Sequence, residues 1–242
     1  MRRSEERWRG SSAERARRGI AALGGSLIIR NCRLVISVPG IDLAPEPIGP
    51  EFAIIGRSNV GKSSLINALL TRKIAHTSNT PGKTRLMNFY AVNEIIVPPP
   101  RSGGAPIIPK SMADSPTLTL VDLPGYGFAK VSKTERVNWD ERMRDFILER
   151  EGLALVIHLI DGRHGPQNND MEVNDWLTGN DVRRQVVLTK IDKIGKLAVA
   201  KVVSDTAKML KLAEPPIAFS AETRVGPEEL WRSLQRAITM PR

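Results

Sequence analysis

The sequence predicts an α/β fold: a mostly parallel sheet with one antiparallel strand and helices on both faces. Three observations carry this. From about residue 50, short apolar runs alternate with amphipathic segments, the pattern of strand–helix units. The runs are FAII (52–55), MNFYAV (87–92), TLTLVD (117–122), LALVIHLID (153–161), QVVLTK (185–190) and PIAFS (216–220). The amphipathic segments lie near 63–70, 133–151, 167–178, 196–212 and 226–238. Next, the run at 87–92 precedes that at 117–122 with no helix between, so these two are expected to pair antiparallel and the others in parallel. Finally, GRSNVGKSSLIN at 56–67 joins the first run to the first helical segment through a turn bracketed by glycines.

Length and composition narrow the classes. The chain has 242 residues, 41% hydrophobic and 26% charged, an ordinary globular balance able to fill a core. No apolar stretch is long enough to cross a bilayer, so no membrane span is expected. IAALGGSLII at 20–29 is short, is broken by two glycines and is followed by Arg-Asn-Cys-Arg, without a cleavage pattern. The lone Cys32 cannot form an internal disulfide or a structural zinc site. A free thiol in a reducing cytoplasm is the expectation.

Net charge is +10, and +6 of it falls in residues 1–33, with nine Arg and three Glu. Residues 1–34 therefore read as a basic, disordered N-terminal extension, and 35–242 as the folded domain. The head is either an arm that meets nucleic acid or another polyanion, or a solvated extension with no partner. An organelle transit peptide is disfavoured by Glu5, Glu6 and Glu14. Residues 98–116, PPPRSGGAPIIPKSMADSP, hold six prolines. They cannot form a helix or a central strand and read as a loop insertion that extends a hairpin.

The segment at 56–67 fits G-x-x-x-x-G-K-[ST] between a strand and a helix, the context that motif requires. The backbone N–H groups of Gly56, Arg57, Ser58, Asn59, Val60 and Gly61 would curl around a phosphate, aided by the helix N-terminus. Lys62 would reach the β- and γ-phosphates, and the Ser63 hydroxyl would bind Mg²⁺, a hard cation that takes oxygen ligands. Three further signals follow in order, each at a strand end. In DLPG, Asp122 would hold Mg²⁺ through a water, and Leu123 and Pro124 lead to Gly125, whose N–H would touch the γ-phosphate. In TKID, formed by Thr189, Lys190, Ile191 and Asp192, the carboxylate can accept hydrogen bonds from guanine N1–H and the 2-amino group. Adenine lacks that amino group, and its N1 is an acceptor, so discrimination against ATP should be large. The Lys190 stem can cover the base. In FSA, formed by Phe219, Ser220 and Ala221, the backbone could meet the guanine O6. Each of these is weak alone; in order they are strong.

GRSNVGKSSLIN, TPGKTRLMNFY, DLPGYGFAK, LIDGRHGPQNND, LTKIDK and FSA resemble the EngB (YihA/YsxC) family of GTPases, over about 35–238. TPGKT, DLPGYGFA and D-x-RHGP go beyond what nucleotide binding requires. The resemblance implies a Ras-like P-loop NTPase fold, with 35–242 as an EngB-type G domain. It implies Mg²⁺-dependent binding of GTP and GDP with slow hydrolysis, in a cytoplasmic monomer. It also implies a role in assembling the large ribosomal subunit, on a precursor of rRNA and proteins, and in normal septation and cell division. In Gly82, Lys83, Thr84, Arg85 and Leu86, it makes Thr84 the threonine that joins Mg²⁺ and the γ-phosphate. Lys62 and Thr84 are then the catalytic candidates, and Ser63 and Thr84 the metal ligands. Asn59 takes the position where related GTPases hold a monovalent cation, often K⁺; the alternative is an asparagine that stabilises the loop. Tyr126 stands where many GTPases carry a water-orienting Gln, so intrinsic hydrolysis should be slow. Thr189 replaces the usual Asn of NKxD, a change the family shares.

His158, inside LALVIHLID, reads as a core residue, and His164 as a turn residue. Trp139 and Trp176 read as packing anchors on helices. Two other functions compete: a nucleotide-gated protein-interaction module of the division machinery, and an ATP-dependent kinase or ATPase, which Asp192 opposes. An appended RNA-binding domain is not expected, since about 20 residues follow FSA.

Overall fold

The computed structural model describes residues 31–75, 86–93, 118–126 and 133–239, with only the backbone described for 133–140 and 239. The head at 1–30, the segment 82–85 and the proline-rich stretch 98–116 lie outside the described residues. Strands are β1 (Cys32–Val38), β2 (Glu51–Gly56), β3 (Met87–Val92), β4 (Leu118–Asp122), β5 (Leu153–Asp161), β6 (Arg184–Thr189) and β7 (Ile217–Ala218). Helices are α1 (Lys62–Leu70), α2 (Lys133–Glu149), α3 (Asn168–Gly179), α4 (Lys196–Met209) and α5 (Pro227–Thr239). The expected helical segments match these closely, the largest difference being the end of α4.

The sheet order is β1-β3-β4-β2-β5-β6-β7. β3 pairs antiparallel with both β1 and β4, and the pairs β4–β2, β2–β5, β5–β6 and β6–β7 are parallel. Among the described strands β3 alone runs against the others, as expected. β1 was not anticipated, and its start at Cys32, Arg33 and Leu34 comes from the stretch read as an extension. It is an edge strand, with Leu34 and Ile36 exposed. Its pairing partner lies far along the chain, Arg33 against Ala91.

Both faces of the central strands are covered, so they read as continuous apolar runs. Phe52 and Ile54 pack under α1 and α5, with Leu65, Leu69, Leu230 and Leu234. Ala53 and Ile55 point the other way, to Phe146 and Ile147 of α2 and Leu177 of α3. Phe146 meets Phe89 edge to face, with centroids 5.9 Å apart. α4 covers the β6 end of that same face. Trp176 packs partly buried there, under the Arg144 guanidinium at 5.4 Å, which bears out its reading as an anchor. The Trp139 side chain lies outside the described residues.

At the bottom edge of the sheet, Glu51 is fully buried at the start of β2. Arg150, just after α2, meets it in a fork: Nε to Oε2 at 2.6 Å and an Nη to Oε1 at 2.8 Å. The same guanidinium donates to the Pro45 carbonyl and lies over Phe89 and Phe146. It ties the loop ahead of β2 to the core. Removing one partner of such a pair leaves a buried charge uncompensated. Arg150→Met is expected to lower unfolding free energy by about 3 kcal/mol. The double variant with Glu51→Gln should recover much of that loss, read from urea denaturation midpoints in a double-mutant cycle.

Candidate functional site

The C-terminal ends of β2, β4, β5, β6 and β7 meet at one edge of the sheet, where α/β sheets hold ligands. The register places Ile54 beside Asp122, Gly56 beside Leu159, Asp161 beside Thr189, and Leu188 beside Ala218. Those pairings bring together motifs spread along the chain from Gly56 to Ala221.

The phosphate loop starts where β2 ends. A Cβ on Gly56 would stand 2.8 Å from Val60 Cγ1 and 2.9 Å from the Leu159 carbonyl oxygen, so only glycine fits. Asn59 is exposed with φ 62°, in the left-handed region. Gly61, with φ 111°, opens α1 without a side-chain cap. The N–H groups of the first turn therefore have no capping side chain and face the loop, a ready anion site. Lys62 and Ser63 begin the helix.

Asp122 ends β4, buried, with Oδ1 lacking a hydrogen-bond partner among the described residues. Burial pushes its pKa up to about 6, against the pull of the Lys62 ammonium. Burial likewise lowers the Lys62 pKa, and Asp122 opposes that. The orphaned carboxylate oxygen of Asp122, together with the Ser63 hydroxyl in the first turn of α1, supplies oxygen donors of the kind a hydrated divalent cation takes, so these residues fit Mg²⁺. Leu123, Pro124 and Gly125 are buried over the loop. A Cβ on Gly125 would lie 2.8 Å from Lys62 Nζ and 3.1 Å from Ser58 N. The Ser58 N–H donates to the Tyr126 carbonyl at 3.1 Å, and the Tyr126 N–H to the Gly56 carbonyl at 3.2 Å.

The TKID segment grips the same loop. Thr189 Oγ1 donates to the Val60 carbonyl at 2.7 Å and approaches that of Ile160 at 3.2 Å. A threonine thus ties β6 to the loop. Lys190 takes φ 57°. Its Nζ donates to the Asn59 carbonyl at 2.6 Å and to Asp161 Oδ2 at 2.9 Å, which stretches the stem across the mouth of the site. Ile191 is buried and anchors the turn, its N–H reaching the Phe219 carbonyl at 3.4 Å. Asp192 Oδ1 accepts the Ser220 hydroxyl at 2.7 Å, and Oδ2 pairs with Lys193 at 3.1 Å. The Ser220 bond, with Lys193 helping, holds the Asp192 carboxyl below its usual pKa, so it stays an acceptor. Each of its oxygens keeps a free lone pair for a ligand donor. Ser220 also accepts the Thr223 N–H at 3.0 Å. Its side chain is therefore a strut for Asp192, a role beyond the backbone contact expected of FSA. Phe219 is buried beneath it and Ala221 is half-buried.

Of the remaining expected site residues, Gly82, Lys83, Thr84 and Arg85 lie outside the described residues, and Leu86 is exposed just ahead of β3. Four neighbours of the site were not singled out for it: Asp161, Arg163, His158 and Asp170. Arg163 Nε and an Nη bind Asp161 at 2.9 and 2.7 Å. Burial alone would raise the Asp161 pKa, but the bonds from Arg163 and Lys190 hold it well below the carboxylate range. In the sequence D-x-RHGP reads only as a family motif; that Asp161 faces Lys190 follows from the pairing of β5 with β6. His164 is exposed in that turn. His158 is buried, as expected of a core residue, but its Nε2 lies 2.7 Å from the Tyr126 hydroxyl.

Comparison with known proteins agrees with this geometry. Residues 51–190 match the family model described as 50S ribosome-binding GTPase. The chain is 39% identical over 217 residues to the EngB GTP-binding protein of Desulfitobacterium hafniense, covering 88% of this chain and 97% of that one. It is 43% identical over 223 residues to the EngB protein of Chelativorans, covering 89% and 92%. Among solved structures it resembles a GTP-binding protein engB, with TM-score 0.54 and 23% identity over 78% of this chain and 98% of that one. An Era variant from Aquifex aeolicus bound to GDP and aluminium fluoride gives TM-score 0.60 and 25% identity, over 79% and 57%.

Asp161→Asn removes the charge that holds Lys190. Guanine-nucleotide affinity is expected to fall about fivefold, read with a fluorescent GDP analogue. Unfolding free energy should change by less than about 1 kcal/mol, since the Arg163–Asp161–Lys190 cluster is partly solvated.

Proposed function

Because the chain belongs to the EngB family of GTP-binding proteins, we propose that it is a GTP-driven switch acting in assembly of the large ribosomal subunit. One observation carries the nucleotide side: the phosphate loop, DLPG, TKID and FSA, scattered between Gly56 and Ala221, converge on one sheet edge and are bonded to one another. The ribosomal side is supported by the matching family model, described as a 50S ribosome-binding GTPase. Normal septation is the cellular consequence proposed for a cytoplasmic, monomeric protein.

In this reading the loop backbone and Lys62 hold the β- and γ-phosphates. Ser63 and Thr84 would hold Mg²⁺, with Asp122 acting through a water, and the ion would neutralise charge on the phosphate oxygens. Asp192, braced by Ser220, accepts the two guanine donors, and the Lys190 stem covers the base. Asn59 is the candidate for a K⁺ contact. Hydrolysis is slow because the side chain after Gly125 is a phenol turned into the core, away from the phosphate loop, in place of a water-orienting Gln. With GTP bound, the chain would present a surface for the ribosomal precursor, and hydrolysis would withdraw it. The basic head adds phosphate contacts.

Two experiments test this. Asp192→Asn should weaken guanine preference at least tenfold in competition between GTP and other purine nucleotides; an unchanged GTP affinity would remove the base assignment. In co-sedimentation with ribosomal subunits and their precursors, the chain should pellet with large-subunit particles when loaded with a non-hydrolysable GTP analogue and not with GDP. Binding should weaken with salt, less steeply once residues 1–33 are deleted. No pelleting in either state, with nucleotide affinity intact, would overturn the ribosomal reading and favour a protein partner in the division machinery.

A further inference from the structure

Tyr126 follows Gly125 directly, and its surroundings are not those of a loop residue. The side chain is 3% exposed, on the α2/α3 face of the sheet. Its hydroxyl sits between two buried partners from two other elements. It donates to Asp170 Oδ1 at 2.8 Å, and His158 Nε2 lies 2.7 Å away. His158 is fully buried on β5 and Asp170 is 1% exposed in the first turn of α3. A phenol has one proton. Once it is given to Asp170, the bond to His158 needs a proton on Nε2, so the imidazole donates from Nε2 and leaves Nδ1 bare. Nδ1 indeed has no partner among the described residues. Burial lowers the His158 pKa to about 3, so the ring is neutral. Asp170 is held from its other side by the Gln167 N–H at 2.9 Å, the entry to α3.

The backbone of Tyr126 is held as firmly, in the opposite direction. Its carbonyl accepts the Ser58 N–H and its N–H donates to Gly56, in a bridge with Arg57 on the phosphate loop. One residue is therefore clamped at both ends: backbone on the phosphate loop, hydroxyl in the core between β5 and α3. The peptide between Pro124 and Tyr126, which carries Gly125, has little freedom left.

We propose that Tyr126, His158 and Asp170 form a buried latch that fixes the Gly125 peptide in the place where it meets the γ-phosphate, which makes Tyr126 a positioning residue for the GTP state. The position that other P-loop GTPases use for a water-orienting side chain holds a strut in this chain. A strut of this kind discriminates between nucleotides: GDP has no γ-phosphate and gains nothing from a fixed Gly125 N–H, whereas GTP loses an organised donor when the latch opens. The hydroxyl is the only atom lost in Tyr126→Phe, and the loss leaves an Nε2–H and a carboxylate oxygen unpaired in the core. The latch presupposes that Gly125 is the γ-phosphate contact of the proposed site.

The test is the affinity of the full chain for a non-hydrolysable GTP analogue and for GDP, measured by calorimetry for wild type, Tyr126→Phe and Gly125→Ala. Tyr126→Phe should weaken the GTP analogue about tenfold and GDP less than twofold. Single-turnover hydrolysis at saturating GTP should fall less than the affinity does. A merely structural phenol would lower the melting temperature and leave the ratio of the two affinities at its wild-type value, and that result overturns the latch. Gly125→Ala, whose Cβ would crowd Lys62 Nζ and Ser58 N, locates the failure. If it loses the GTP analogue selectively while Tyr126→Phe does not, the latch is wrong and the site reading stands. If neither variant discriminates, both fall. Should Tyr126→Phe not fold, Asp170→Asn keeps the shape, removes the charge that holds the phenol, and should shift the same ratio about threefold; an unmoved ratio there overturns the proposal equally.

Discussion

Between β2 and α1 the chain has only Arg57 to Gly61 in which to leave the sheet and enter a helix, and that turn is held from every side by other strand ends. The Leu159 backbone closes on Gly56 and forbids a side chain there. The Tyr126 carbonyl takes the Ser58 N–H, Thr189 donates to Val60, and Lys190 donates to Asn59. A loop of this curvature, with φ 62° at Asn59 and 111° at Gly61, costs conformational free energy. The surrounding bonds offset that cost before any ligand arrives. The loop is thus shaped in advance, with the Ser58 and Val60 N–H groups, expected at a phosphate, taken instead by the Tyr126 and Arg57 carbonyls. DLPG and TKID are each tied to this loop first, and FSA to TKID.

Among the described residues, buried polar groups are of two kinds: those paired with a partner from a distant element, and those left with an orphaned atom, as at Ser58, Asp122, His158 and Thr206. Glu51 and Arg150 are an example of the first kind, far from the site. Asp122 is of the second, with one oxygen bare beside Lys62. The group around Tyr126 combines both, since the phenol and Asp170 are satisfied while His158 keeps one bare nitrogen. Unpaired buried groups are expensive, and Asp122 carries its orphaned oxygen at the sheet's ligand edge.

Much of the fold was legible because its signals are local. Continuous apolar runs such as LALVIHLID mark strands covered on both faces, and the amphipathic segments between them mark the helices. β1 escaped because CRLVISV follows an Arg-rich head and lies at an edge with several side chains in water. What makes it a strand is pairing with β3, far along the chain. The site showed the same division. Gly56, Lys62, Ser63, Asp122, Gly125 and Asp192 belong to motifs whose spacing follows from phosphate, metal and guanine chemistry. Asp161 and Ser220 lay inside quoted motifs, yet their work is to brace Lys190 and Asp192, and no spacing announces a brace.

Local sequence was therefore enough for the order of β2 to β7 and of the helices, the phosphate-loop and TKID motifs, and the family. All of these depend on contacts within a few residues, or on chemistry that one motif carries whole. Which strand ends share an edge, and which way the Tyr126 phenol turns, came from long-range pairing alone. So did the fact that His158, a core residue by any local criterion, is paired rather than merely buried. Those outcomes come from register between distant strands. A one-residue slip of β5 against β2 would carry His158 to the opposite face of the sheet and undo the group, while leaving every local signal in the sequence unchanged.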